Sequence, residues 1–131
     1  MRTTLAVCVA AVGLLLSTGP AIAHHAFTAE FDATKPIKVT GTVTKFEWTN
    51  PHAWFYIDVK DDNGTVTNWG FEMNSPNMLL RNGWTRNSLK IGDSVTAEGL
   101  RARDGSHVAN AKSVTLASTG QQLLAAPNQT Q

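Results

Sequence analysis

The sequence has little cysteine, balanced charge and no long apolar run. Its single cysteine is Cys8, so no disulfide can form within the chain and stability has to come from packing. The chain carries 11 Lys and Arg against 10 Asp and Glu, and this near balance argues against nucleic-acid binding, which depends on a basic surface. The apolar stretch from Leu5 to Leu16 is too short to span a bilayer comfortably.

The start of the chain has the features of a secretory signal peptide. Gly19 and Pro20 end the apolar stretch, and Ala21-Ile22-Ala23 is a small-x-small pattern of the kind that signal peptidase cleaves. We therefore predict residues 1–23 to be a signal peptide and the mature chain to begin at His24, in the periplasm or outside the cell. A membrane anchor is the alternative. Cleavage would leave neither a cysteine nor a membrane span.

Composition divides the mature chain into three parts. Residues 24–36 show no sustained hydrophobic period, which predicts an N-terminal arm anchored through Phe27 and Phe31. Residues 37–116 carry the strand patterns and predict a single domain. Residues 117–131 lack a packing pattern, which predicts a flexible C-terminal tail.

The first two strands are predicted from β-branched residues, aromatic residues and alternation. The first begins at Ile37, and Gly41 within it is the expected position of a bulge that lets one strand serve two neighbours. The second follows Pro51 and alternates between two faces. Its predicted core face consists of Ala53, Phe55, Ile57 and Val59, and its outward face of Trp54, Tyr56 and Asp58.

Turn signals place the remaining elements. A third strand follows Asp61-Asp62-Asn63-Gly64, and a short helix is predicted from Ser75-Pro76 to Asn82-Gly83. The last two strands are predicted at residues 94–102 and 108–116. This order predicts an all-β fold with one short helix, an OB-fold-like five-stranded Greek-key barrel. A small split β-sandwich of the same strands is the alternative.

Several short motifs follow one another along the mature chain. They include His24-His25-Ala26-Phe27, Glu30-Phe31-Asp32, Trp48-Thr49-Asn50-Pro51-His52, Asn68-Trp69-Gly70-Phe71-Glu72, Ser75-Pro76-Asn77, Gly83-Trp84-Thr85-Arg86 and Gly92-Asp93. Read together, they resemble a bacterial family of small exported proteins called domain of unknown function 6152, over nearly the whole mature chain through Leu116. The resemblance implies a periplasmic or secreted location in a Gram-negative bacterium. It brings no established activity, ligand or catalytic residue.

The four histidines suggest a metal site. Two lie at the predicted mature N-terminus, and two lie in the loops that would flank the ligand face of an OB-fold, at residues 49–52 and 104–107. The amine and imidazole of a first-residue histidine can chelate one ion, and nitrogen ligands favour copper(II). The hypothetical copper site consists of His24, His25, His52 and His107. The alternative is a set of exposed histidines that hold no metal.

A second candidate site is the outward face that carries Trp54, Tyr56 and Glu72. Aromatic rings beside a carboxylate on an OB-fold face can hold a periplasmic protein or glycan partner. The alternative is that the N-terminal arm itself covers this face, with Phe27 or Phe31 stacked on Trp54.

The sequence favours a binding protein over an enzyme. It lacks a recognisable set of nucleophile, base and oxyanion donors, so no catalytic residue is assigned. The first hypothesis is a non-enzymatic exported domain that binds copper. The alternatives are an envelope interaction module that uses the Trp54 and Tyr56 face, and a copper-dependent redox enzyme.

Overall fold

The structure is a computed structural model, and it describes residues 27–125. Residues 27–30 are helical and belong to a separate compact unit, whereas the strands form the unit that begins at Phe31. The predicted signal peptide lies outside the described residues, as do residues 24–26 of the predicted arm and residues 126–131 of the predicted tail.

Five strands form a closed ring with one short helix. In chain order the elements are β1 (Phe31–Glu47), β2 (Trp54–Lys60), β3 (Val66–Glu72), α1 (Pro76–Arg81), β4 (Ser94–Ala102), β5 (Val108–Leu116) and β6 (Gln122–Leu124). β1 pairs with β2 and β4, β2 with β3, and β4 with β5, all antiparallel, while β3 pairs with β5 in parallel and closes the ring. The predicted all-β class with one short helix is confirmed, and the ring fits an OB-fold-like order better than a split sandwich.

β1 serves two neighbours, as predicted, but the bulge is not at Gly41. β1 pairs with β4 up to Thr42 and with β2 from Thr42 onward, and its register shifts between Val43 and Lys45. Gly41 has a different structural role. A Cβ at Gly41 would collide with the backbone carbonyl of Asp58, so this residue allows the β1 and β2 backbones to approach closely.

The predicted arm and tail need correction because both contribute strands. Residues 31–36 belong to β1, where Phe31 lies opposite Ala102 and only 2% of Phe31 is exposed. The tail contributes β6, in which buried Leu123 lies opposite Val114 of β5. Local patterns missed both segments because their partners are distant in the sequence, so tertiary pairing decided their conformation.

The core lies inside the ring and follows the predicted alternation of β2. Ala53, Phe55 and Ile57 are fully buried. After β3 the chain forms α1, which begins as predicted: Ser75 is the N-cap and its Oγ accepts a hydrogen bond from the Met78 N–H. The buried side chain of α1 that joins the core cluster is Leu79. The position of the core fixes which side chains of β2 and β3 point outward.

Candidate ligand-binding face

The outward side chains of β1, β2 and β3 form one continuous surface, which we call the aromatic face. Strand pairing arranges it in two rows across the sheet. Glu47, Trp54 and Glu72 form one row, and Lys45, Tyr56 and Gly70 form the other. The residues that alternate with them on β2 are core residues, so these side chains must point away from the core.

The centre of the aromatic face is a pair of nearly parallel rings. Trp54 and Tyr56 are half-buried, their ring centroids are 6.2 Å apart and their planes differ by 17°. Both rings border Gly70 on the neighbouring strand, where a Cβ would lie 3.1 Å from a ring carbon of Tyr56. A residue without a side chain therefore leaves room for the aromatic pair to settle against β3.

On the β1 side, an ion pair borders the rings. Lys45 Nζ lies 2.5 Å from Glu47 Oε1 and 5.4 Å from the centre of the Tyr56 ring. The hydrogen bond to Glu47 raises the pKa of Lys45, so the ammonium stays charged. Burial, together with the nearby Glu47 carboxylate, raises the pKa of Tyr56. The phenol therefore keeps its proton and donates a hydrogen bond of 3.5 Å to Glu47 Oε2.

On the β3 side, a histidine is held by a buried carboxylate. His52 Nδ1 lies 2.5 Å from Glu72 Oε1, and the side chain of Glu72 is 10% exposed against 48% for His52. In the preceding turn, Thr49 Oγ1 donates a hydrogen bond to the carbonyl of His52 and so holds the backbone that carries the imidazole. Because Nδ1 is engaged by Glu72, Nε2 is the ring nitrogen through which His52 can meet a ligand.

His107 lies in a different environment from His52. Its ring packs edge-on against Trp69, with centroids 5.1 Å apart, and the guanidinium of Arg101 lies 5.4 Å from the centre of the same Trp69 ring. Trp69 and Glu72 are three residues apart on β3 and so point to opposite faces of the strand. The two loop histidines therefore contact opposite faces of β3.

The described residues do not assemble the hypothetical copper site. Within residues 27–125, no group of three or more His, Cys, Asp or Glu side chains is arranged to hold a metal ion. His24 and His25 lie outside that range. Copper binding through the four histidines stays a prediction, and the geometry favours His52 and His107 acting separately.

Two contacts of the aromatic face were not anticipated from the sequence. The pairing of His52 with Glu72 follows from the hairpin register, because the turn at residues 61–64 sets Glu72 opposite Trp54, at the start of β2. The turn signal in the sequence predicts that register, although not the contact itself. The sequence did not predict that Lys45 and Glu47 of β1 lie on this face, because the register shift after Val43 decides which side chains of β1 point outward.

The ring of strands, with its half-buried aromatic pair, defines a small all-β domain. A family model described as a family of unknown function, DUF6152, matches residues 11–111, and the chain belongs to this family. The family assignment made from the sequence motifs is thereby confirmed. Searches among curated proteins and among solved structures gave no match. No helix within residues 27–125 is long and apolar enough to cross a membrane.

Proposed function

We propose that this protein is a non-enzymatic binding domain that holds its ligand on the aromatic face. The observation that carries the proposal is the parallel pair of Trp54 and Tyr56, half-buried and bordered by polar pairs on both sides. Aromatic rings that remain accessible on an otherwise satisfied surface are typical of interaction sites, because they supply contact area at little cost in side-chain entropy. The cleavage pattern before His24 supports export, so the ligand would be a protein or a glycan of the cell envelope.

The His52 and Glu72 pair does not by itself favour catalysis. A buried carboxylate that orients an imidazole is also found in hydrolytic sites, where the imidazole activates a hydroxyl or thiol. The Thr49 hydroxyl, three residues before His52, donates to the backbone carbonyl of His52 rather than to its ring. An imidazole oriented by a carboxylate, with no nucleophile assigned to it, does not define an acyl-transfer site, whereas a binding role needs no nucleophile.

The proposal can be tested by retention of envelope material. Purified wild type and the double variant Trp54→Ala/Tyr56→Ala are immobilised and exposed to a periplasmic and membrane extract, and both bound protein and bound sugar are quantified. Wild type should retain a component that the double variant loses. Leu80→Ala is the control, because Leu80 is 54% exposed on α1 and does not belong to the aromatic face. Equal retention by all three proteins would refute the proposal.

Copper binding is a second candidate, favoured by the orientation of His52. Histidine ligands of metals commonly donate their other ring N–H to a carboxylate, which is the relation of His52 to Glu72. His24, with its amine and imidazole after cleavage, would complete a nitrogen ligand set together with His25, and copper is the divalent metal that such sets prefer. A redox activity of the bound copper would be a further step.

Electron paramagnetic resonance on the processed protein with copper(II) tests this candidate. Nitrogen hyperfine structure should change in His24→Ala and in His52→Ala. It should remain as in wild type in His107→Ala, because His107 packs against Trp69 on the other face of β3. A wild-type spectrum in His24→Ala and His52→Ala would exclude this copper site.

A further inference from the structure

Every carboxylate on the aromatic face already has a partner in the protein. Glu47 is paired with Lys45, Glu72 with His52, and Asp58 Oδ1 accepts a hydrogen bond of 2.8 Å from the side-chain amide of Asn68. A cationic ligand would have to displace Lys45 from both Glu47 and the Tyr56 ring. An anionic ligand would meet three carboxylates. The charge arrangement therefore favours a neutral ligand.

The strand pairing also disfavours an extended peptide as the ligand. Peptides that bind to sheets commonly add a strand along an open edge, where unpaired backbone groups supply hydrogen bonds. The strand below Trp54 and Tyr56 is β2, which pairs with β1 on one side and β3 on the other. The aromatic rings thus lie in the middle of a paired sheet, where side chains rather than backbone groups must recognise the ligand.

Side chains at this position are suited to sugar rings. Trp54 and Tyr56, whose planes differ by only 17°, are half-buried, and the aromatic surface that stays accessible suits the hydrophobic face of a pyranose. Trp54 lies between Glu47 and Glu72, which are two strand spacings apart, or about 10 Å, a distance that leaves room for one sugar ring between them. The Glu47 carboxylate, whose side chain is 31% exposed, can accept a hydrogen bond from a sugar hydroxyl. On the other side, the 48% exposed His52 ring, and not the 10% exposed Glu72 carboxylate, is accessible to a second hydroxyl. OB-fold domains as a class use the face of strands 2 and 3 for oligosaccharides.

From these contacts we infer that the aromatic face binds a neutral oligosaccharide of pyranose rings, stacked on Trp54 and Tyr56 and hydrogen bonded through Glu47 and His52. The inference rests on the proposed function, since it assumes that this face is the binding site. It narrows the ligand from a protein or glycan of the envelope to an uncharged carbohydrate.

The test is a titration of ¹⁵N-labelled protein with oligosaccharides, followed by the indole N–H resonances of the four tryptophans. The probes are maltoheptaose, cellohexaose and chitohexaose as neutral sugars, and an oligogalacturonate as an anionic sugar. At least one neutral sugar should shift the Trp54 indole and the Gly70 amide at concentrations up to about 10 mM, the range of weak single-site binding. The resonance of fully buried Trp84 should stay unchanged.

Variants assign the shifts to the aromatic face. Because Trp54 is only half-buried, Trp54→Ala should retain the fold and bind the sugar at least about tenfold more weakly. Glu47→Gln, which keeps the size of the side chain, should weaken binding less, and Leu80→Ala should bind as wild type does. If the spectrum of Trp54→Ala lacks dispersed amide resonances, the variant is not folded, and Trp54→Phe is used in its place. Trp54→Phe should lose less sugar affinity than Trp54→Ala.

The outcomes separate this inference from the proposed function. No shift at Trp54 with any neutral sugar would overturn the carbohydrate inference, as would stronger shifts with the oligogalacturonate. If the double variant Trp54→Ala/Tyr56→Ala still loses envelope material in the retention experiment, the face would remain a binding site for a ligand of another class. If retention is also unchanged, both are wrong.

Discussion

The close approach of β1 and β2 makes Gly41 an informative position for a test of the fold. Replacing a strand glycine by alanine ordinarily stabilises a protein by about 0.5–1 kcal/mol, because the unfolded chain loses conformational freedom. At Gly41 the added methyl group would meet the backbone carbonyl of Asp58 and a methyl group of Val59. A backbone carbonyl in a paired strand cannot turn aside as a flexible side chain can, so β1 and β2 would have to separate.

We expect Gly41→Ala to lower the free energy of unfolding by about 1–3 kcal/mol, the usual cost of inserting a methyl group where no space exists. For a domain of this size, this loss corresponds to a decrease of the melting temperature of about 4–8 °C per kcal/mol. Urea denaturation followed by tryptophan fluorescence measures the free energy, and thermal unfolding followed by circular dichroism gives the melting temperature.

Gly70→Ala is the matched control for this measurement. Its Cβ would lie 3.1 Å from a side-chain atom of Tyr56, and that ring can move by a few tenths of an ångström. The loss of stability should therefore be below about 1 kcal/mol, the range of substitutions that a site can accommodate. A Gly41→Ala protein as stable as wild type, or less affected than Gly70→Ala, would refute the close approach of the two strands.

Two further predictions concern the end of the chain and the response to acid. Trp84→Phe removes the indole N–H that donates a hydrogen bond of 2.9 Å to the Leu124 carbonyl. It should lower the free energy of unfolding by about 1–3 kcal/mol and speed amide hydrogen exchange in β6. Unchanged exchange in β6 would show that this hydrogen bond does not hold the strand. Hydrogen bonds from Lys38 and Ser113 lower the pKa of Glu98 below 4.5, its ordinary value. A carboxyl group whose pKa is lower in the folded than in the unfolded protein stabilises the fold at a pH above its pKa in the unfolded protein. This stabilisation is lost as the pH falls through the pKa of the group in the folded protein. As the pH is lowered below 4.5, the melting temperature of wild type should therefore decrease, and that of Glu98→Gln should decrease less steeply. Parallel curves of melting temperature against pH would show that Glu98 does not contribute.

Local sequence signals predicted the elements whose pattern is complete within a few residues. The alternation from Ala53 to Asp58 has one register that buries its apolar side chains, and it is the observed one. The helix start at Ser75 was readable because capping chemistry is local. The last two ring strands were predicted with the bounds that β4 and β5 have in the structure.

The parts that the sequence did not predict depend on distant partners. Phe31 enters β1 because Ala102 lies opposite, and β6 forms because Ser113, Val114 and Thr115 offer a free edge. No local pattern contains that information. The aromatic face shows the same division. Its β2 residues were predicted from alternation, whereas Lys45 joins it through a register shift that only the pairing of β1 with β2 reveals.

The structure also separates the residues that hold the fold from those that can hold a ligand. Within β2, Phe55 and Ile57 are fully buried, while Trp54 and Tyr56 on the same strand are half-buried and point outward. Substitutions at the outward positions remove aromatic surface without opening a cavity in the core, so their effects on binding can be measured in a folded protein. Gly70 is the exception, because a side chain there would disturb the Tyr56 ring from below. A loss of binding in Gly70→Ala with little loss of stability would therefore show that the orientation of the aromatic pair, and not merely its presence, determines recognition.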